Sequence, residues 1–446
     1  MNDPFMLREK ALELADSVTA MRRDLHSFPE AAFSEYRTAS IVARELLQLG
    51  WTVTMGANAM RPNARLGAPS PEDCARERMR AVAEGADAAL VRHMGDGLTG
   101  LWADLACPDE EACENAPAVA LRFDMDGLEV HECSGKEHLP AREGFVSRRA
   151  NFMHACGHDG HVALGIGLAR LLTPLRSRLR GTVRLIFQPA EETGTGACPM
   201  AEAGALDGID RLIGLHLSMQ ASHSGDIICG TEEFLATTTF ILKFHGRTAH
   251  AGMAPQDGHN ALLAAASAVQ NMHAISRHSA GSSRINIGQF HAGDATNIIA
   301  GEAWLSGETR GTTDEVNSYV MSEVERMAHA AAAMWGCTCT IIRTGDCPSA
   351  ASSPELTAMV GEEASAMKRF RNIIPTAAFC ASEDFTWLMN RVQKRGGQAV
   401  YMQLGADRAG GHHTGHFDFD EGVFADGLEL LARMTLRSLS AEKLIF

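Results

Sequence analysis

Between residues 6 and 50 apolar positions recur at helical spacing, through Met21 and Leu25 and then Ala39, Ile41, Val42, Leu46 and Leu47, and the spacing predicts helices there. From Asn58 to Gly97 the chain turns polar, with Pro and Gly followed by the charged run Glu77–Arg80, which reads as a partly helical surface insertion. Three short, nearly continuous apolar runs come next, at 118–123 (AVALRF), 182–187 (TVRLIF) and 211–215 (RLIGL). Between the first two, residues 161–172 are apolar at helical spacing. Strands of this kind alternating with helices imply an α/β fold whose mixed, largely parallel sheet is covered by helices on both faces.

After Gly230 the rhythm changes. Residues 237–244 alternate, 260–275 form an Ala-rich helical stretch, and 283–290 alternate again. A strand over 302–308, a helix over 313–334 and a strand over 337–343 (CTCTIIR) follow. That β-α-β-β-α-β order is the ferredoxin-like split arrangement. The expectation is a discontinuous main domain, residues 1–230 and 349–446, interrupted by a smaller α+β domain over 231–348.

Composition narrows the class. Of 446 residues, 45% are hydrophobic and 21% charged, the balance of a globular chain. Lys and Arg number 40 against 55 Asp and Glu, a net charge of −15 with both signs scattered, which argues against a nucleic-acid surface. The first residues carry acids and no signal-length apolar core, and no apolar run reaches the roughly 18 residues of a membrane span. Eleven cysteines at irregular spacing in a chain this long point to small buried thiols in a reducing cytoplasm rather than to disulfide staples.

The chemistry lies where polar residues fall relative to the apolar strands, because α/β sites form beyond the carboxyl ends of strands. AVALRF runs into Asp124 and Asp126, TVRLIF runs through Gln188-Pro189-Ala190 into Glu191-Glu192, and RLIGL ends on His216. Just before a helix sits Met153-His154-Ala155-Cys156-Gly157-His158-Asp159, and near the C-terminus His412-His413 precede an FDFDE run. Each piece alone is unremarkable: a Glu pair in a solvated loop, a core histidine, a buried thiol, an Asp capping a turn. Five of them at strand ends on one rim predict a metal site. A thiolate, imidazoles and a carboxylate suit zinc, cobalt or manganese. Cys156 and His158 stand two apart and so face one way in an extended loop, and a thiolate can bridge two cations. Adjacent Glu side chains diverge, so one can bind metal while the other acts as general base toward a metal-activated water. No G-x-S-x-G nucleophile elbow occurs, and the Gly194-Thr195-Gly196 stretch lacks the rest of a phosphate loop.

At these residues the chain resembles the M20 metallopeptidases, in particular the amidohydrolase branch that acts on N-acyl amino acids. The similarity runs in order through RRDLHSFPEAAFSEYRTA, LRFDMDGLEV, MHACGHDGH, LIFQPAEETGTGACPM, GLH, TAHAGMAPQDGHNAL and HHTGHFDFDE. The resemblance implies a two-metal catalytic domain, holding Mn²⁺, Zn²⁺ or Co²⁺, with an inserted ferredoxin-like lid used for dimerisation. It implies Cys156, His158, Glu192, His216 and His413 as metal ligands, His413 rather than His412 because the family's histidine lies four residues before the Phe that is here Phe417. It further implies Glu191 as catalytic base, Asp126 as the residue orienting a ligand, His250 at the substrate carbonyl, and Asn297 and Arg310 on the substrate carboxylate. The insertion RLGAPSPEDCARERMRAVAEGA, with EEFLATTTF, SRINIGQFHAG and GHHTGHFDFDE, resembles a narrower group, the two-subunit hydrolases of p-aminobenzoyl-glutamate. Two departures stand out: Ala300 where the family has Pro, and Thr414-Gly415 where much of it has Asn-Pro. The expected partners are therefore a small N-acyl amino acid and a second subunit, identical or related, with no nucleic acid and no membrane. The alternatives are a general N-acyl-amino-acid or dipeptide hydrolase, a non-catalytic partner subunit, and, least favoured, a structural-zinc module.

Overall fold

In the computed structural model, which describes residues 4–107 and 116–439, the strands are β1 (Thr52–Met55), β2 (Leu101–Ala106), β3 (Ala118–Asp124), β4 (Thr182–Gln188), β5 (Arg211–Leu217), β6 (Asp226–Glu232), β7 (Ala236–His245), β8 (Ala249–His250), β9 (Ser283–Ala292), β10 (Ile298–Ile299), β11 (Glu302–Gly311), β12 (Thr338–Cys347), β13 (Asn372–Ala378) and β14 (Gln398–Leu404). They divide between two compact units. One comprises Met1–Glu232, Ala351–Ala378 and Trp387–Phe446; the other comprises Glu233–Ala350 and Phe379–Thr386.

The first unit is built on an eight-stranded sheet in the order β1-β2-β4-β3-β5-β14-β6-β13. Its middle is parallel, β4 with β3, β3 with β5 and β5 with β14, so these strands are largely buried and mainly apolar, with polar residues at their ends and Arg122 and Arg184 within them. The helix His158–Leu172 is buried at every residue but Arg170, because it lies between the sheet and other helices. Small residues allow that approach: a Cβ on Gly165 would stand 2.8 Å from the rings of both Phe123 and Phe187. The helix Pro4–Ser27 packs on it, as does Phe424–Ser438. No described helix is long and apolar enough to cross a membrane.

Local readings hold in part. The helices Pro4–Ser27 and Tyr36–Gln48 bury Leu25, Ala39, Ile41, Val42 and Leu46, but Leu47 faces outward. The insertion is helical at Pro71–Ala83 and Ala88–His93. Ser70 caps the first of these through the Asp73 amide, and Asp87 caps the second. An antiparallel pair, β1–β2, brackets this insertion, and its segments WTVTM and LWADLA are too short and mixed for a hydrophobic period to mark them. Of the nine free cysteines among the described residues, five are buried as expected for small core thiols, but Cys133, Cys198 and Cys339 are half-buried, Cys380 is exposed, and Cys107 is disulfide-bonded.

The second unit has a four-stranded antiparallel sheet in the order β12-β7-β11-β9, with the helices Ala261–Met272 and Asp314–Met334 between strands in the β-α-β-β-α-β sequence. Phe240, Leu242 and Phe244 of β7 meet Ala261, Ala264, Ala265 and Ala268 of one helix and Val324 and Ala328 of the other. The alanines let the helix lie close on the strand. The segment Phe379–Thr386 joins this unit because the Leu235 amide donates to the Ala381 carbonyl and Ser382 Oγ donates to the Leu235 carbonyl.

Candidate metal centre

Loops leaving β3, β4, β5 and β14 converge at the carboxyl ends of the parallel strands. The 153–158 loop enters its helix through Gly157 at φ 90°, a left-handed conformation that glycine adopts freely. This turn delivers Cys156 and His158, both buried. Cys156 Sγ lies 3.5 Å from His216 Nε2 and 3.5 Å from His412 Nδ1. His216 donates from Nδ1 to the Leu217 carbonyl at 2.8 Å, which leaves the Nε2 lone pair facing the sulfur. His158 likewise donates from Nδ1 to the Asp126 carbonyl at 2.9 Å.

The acidic pair is held by its backbone. Asp126 accepts the Glu191 amide on one oxygen and the Glu192 amide on the other, each at 3.0 Å. Glu35, also buried, accepts the Ala190 amide at 2.9 Å while Thr99 donates to its second oxygen at 2.6 Å. Ala190 has φ 54°, an unusual left-handed value for a residue with a Cβ, and the two carboxylates hold it there. Three consecutive N–H groups are thus pinned, and the Glu side chains are presented to the cluster. His158 Nε2 stands 3.7 Å from Glu192 Oε1 and 3.8 Å from Glu191 Oε2. His413, 55% exposed and also left-handed at φ 61°, brings Nε2 to 3.4 Å from Glu192 Oε2, its amide donating to the Ala155 carbonyl.

Two buried atoms here have no hydrogen-bond partner, His158 Nε2 and Glu192 Oε1. Ligand atoms fall into overlapping groups small enough for one cation each: Cys156, His158 and His216; Cys156, Glu192 and His413; His158, Glu191 and Glu192. Asp124, His158 and His161 form another, but His161 Nδ1 is spent on Asp124 and Nε2 on the Leu217 amide, while Arg122 pairs with Asp124. That histidine is a support.

Electrostatics point the same way. Burial raises the Cys156 thiol pKa well above its usual value, and the charges of Glu192 and Glu191 add to it. Burial also pushes Glu192 up to about 7, against the pull of His158. For His158 burial acts downward, but the charges of Asp124, Asp126 and Glu192 outweigh it and raise the pKa to about 10. A proton on Nε2 would find no acceptor in reach, so the positive charge this space attracts is better supplied by a metal ion. Burial lowers His216 well below the usual imidazole range, and lowers His413 as well, so both offer neutral lone pairs. The residues present fit divalent cations.

All five expected ligands, Glu191 and Asp126 thus meet at one place. The three residues expected in the smaller domain lie in the second unit. His250 and Asn297 are neighbours on the β8–β10 ribbon, where the Ala251 amide donates to the Asn297 carbonyl. His250 Nδ1 accepts the Gly252 and Met253 amides, which leaves Nε2–H as a donor. Arg310 forks onto Glu308 at 2.9 and 3.0 Å and reaches Ser382 Oγ at 3.2 Å. Residues the sequence pattern did not reveal are His161 and Glu35, while His412, set aside there in favour of His413, also reaches Cys156 Sγ. The i, i+3 spacing of His161 to His158 on one helix could have flagged that support. Nothing local flags Glu35.

The family model described as Peptidase family M20/M25/M40 matches residues 120–437. The chain belongs to this family. This M20 chain is 41% identical over 432 residues to the indole-3-acetyl-aspartic acid hydrolase of Enterobacter agglomerans, covering 97% of this chain and 98% of the relative. It is also 41% identical over 424 residues to one of the subunits of the p-aminobenzoyl-glutamate hydrolase of Escherichia coli K12, covering 95% of this chain and 96% of the relative. Among solved structures, the aminobenzoyl-glutamate utilization protein of Klebsiella pneumoniae superposes with a TM-score of 0.82 at 35% identity, over 97% of this chain and 98% of that one. The M20 chain is a hydrolase with the mixed, largely parallel α/β fold of these relatives.

Proposed function

We propose that the first unit binds two divalent cations, Mn²⁺, Zn²⁺ or Co²⁺, through Cys156, His158, Glu192, His216 and His413, with Cys156 shared, and that the protein hydrolyses the amide of an N-aroyl or N-acyl amino acid. The carrying observation is the convergence of these five donors, with His158 Nε2 and Glu192 Oε1 buried and unpartnered, beside a Glu whose backbone is pinned. Bound cations would supply an acidified water and stabilise negative charge on the carbonyl oxygen. Glu191 takes the proton from the attacking water on a carboxylate oxygen and returns it to the departing amine nitrogen. Asp126, through the Glu191 and Glu192 amides, keeps base and ligand diverging from one turn.

The two relatives at 41% identity act, by their names, on amides joining an aromatic acid to an acidic amino acid, so their shared chemistry is the best substrate class. Within it p-aminobenzoyl-glutamate is the leading candidate, because the insertion over 58–97 and the C-terminal motif resemble that group. By the same resemblance we assign His250 to the carbonyl oxygen and Asn297 and Arg310 to the carboxylate, Arg310 exchanging Glu308 for substrate. A homodimer or a pairing with a related subunit, and a cytoplasmic location, complete this reading. The deciding experiment is release of p-aminobenzoate by protein stripped and reloaded with Mn²⁺ or Zn²⁺, beside indole-3-acetyl-aspartate and hippurate. Metal-dependent release favouring p-aminobenzoyl-glutamate supports it. Preference for indole-3-acetyl-aspartate or hippurate keeps the reaction and discards that substrate, and no turnover of any amide rejects the catalytic reading in favour of a non-catalytic partner.

A further inference from the structure

Outside this cluster, another set of candidate donors converges among the described residues. Cys133 Sγ, Glu137 and His416 each offer a ligand atom within 4.8 Å of the others. They come from two segments far apart in sequence, the loop before the helix Leu139–Glu143 and the loop that also carries His412 and His413. The loops are clamped by the Cys133 amide donating to the Gly415 carbonyl at 2.8 Å. No side chain fits at 415, since a Cβ there would stand 2.2 Å from the His131 carbonyl oxygen. The Thr414-Gly415 pair that departs from the family pattern therefore creates this close approach.

Glu137 is exposed, yet its carboxylate folds back over the loop. A Cβ on Gly135 would sit 2.0 Å from Glu137 Oε1, and Cys133 Sγ donates to that oxygen at 3.4 Å. The ring of His416 stands edge-on to His138 with centroids 6.4 Å apart, and His138 Nδ1 is buried without a partner. None of these residues has a part in the hydrolysis.

We propose that Cys133, Glu137 and His416 form a separate site for one Zn²⁺-class cation, which ties the His412–His413 loop to the 131–138 loop. A thiolate, a carboxylate and an imidazole with one water make a four-coordinate set of the borderline-soft kind zinc accepts. Binding exchanges the Cys133 S–H proton for the metal, the proton leaving to solvent. The site stands independently of the amide-hydrolysis reading.

The test is zinc content by elemental analysis of the full chain, equilibrated at buffered micromolar free Zn²⁺, for wild type, Cys133→Ser and His416→Gln. Both variants should hold one equivalent fewer than wild type and bind it roughly tenfold or more weakly. Hydrogen exchange over 411–417 should slow on zinc addition in wild type but in neither variant. Circular dichroism checks folding, which these exposed or half-exposed side chains should not disturb. Equal zinc content in all three proteins overturns the proposal. So does loss in Cys133→Ser alone, which would mean a lone thiol picking up metal.

Discussion

His26 is a buried histidine that the fold holds as a cation. Its Nδ1 lies 2.8 Å from Asp159 and its Nε2 2.9 Å from Glu132, so both ring nitrogens face carboxylates and both must donate. Arg22 shares Asp159 at 2.8 Å and also reaches Asp418 at 2.7 Å and Glu421 at 3.1 Å. Burial and the Arg22 charge both lower the His26 pKa, but the bonds to Asp159 and Glu132 overcome them and raise it from 6.5 to about 9. A pKa higher in the folded than in the unfolded chain gives stability that is full below the unfolded value and lost as pH climbs through the folded one. The gap between 6.5 and about 9 corresponds to about 3 kcal/mol, a sizeable share of a domain's typical stability.

The perturbation is His26→Gln, uncharged at every pH. Trp304 and Trp335 lie in the second unit, and replacing both with Phe leaves Trp51, Trp102 and Trp387 to report on the first. Urea unfolding followed by fluorescence then gives the stability gap between parent and variant. That gap should shrink by about 3 kcal/mol between about pH 6 and about pH 9.5. Taking the difference cancels every group the two proteins titrate alike. A gap that stays constant, or widens with pH, would refute a cationic His26.

Glu191→Gln should leave metal content unchanged while turnover of the amide falls about 10²–10⁴-fold, the usual worth of a general base; retained activity removes that role. Cys156→Ala should lower metal content measured by elemental analysis, and full occupancy would sink its ligand assignment. Glu35→Gln keeps the shape but weakens the hold on the Ala190 amide; kcat should drop roughly tenfold with metal content intact, whereas an effect confined to KM would contradict a positioning role. Arg310→Ala should raise KM about tenfold or more through loss of the carboxylate fork, and an unaltered KM would show that Glu308 is its lasting partner.

Sequence pattern exposed what obeys short periods. Near-continuous apolar runs marked β3, β4 and β5, and polar residues at or past their ends meet in the donor cluster proposed to bind metal. The split β-α-β-β-α-β order was legible for the same reason. Long-range pairing carries no period, and there legibility ends. Arg22 and Asp159 are 137 positions apart, and Arg22 and Asp418 are 396 apart, so no window contains the network. Asp124 has the look of a ligand in sequence, but Arg122 and His161 occupy it. Arg310 has the look of a free substrate anchor, but Glu308 lies on its fork.

The Glu191-Glu192 pair shows where motif and geometry part. Two adjacent acids name a chemistry, but either could serve as base or ligand on sequence alone. What separates them is the turn: a left-handed Ala190 with three consecutive amides held by Glu35 and Asp126. A backbone pinned by buried carboxylates cannot exchange the directions of its two side chains without breaking those bonds, each costing about 1–3 kcal/mol when a buried acceptor loses its donor. Glu192 therefore stays turned toward His413 and the buried side, where burial raises its pKa. The base role proposed for Glu191 therefore depends on Asp126 and Glu35, 65 positions from Glu191 and 155 from Ala190 in the chain.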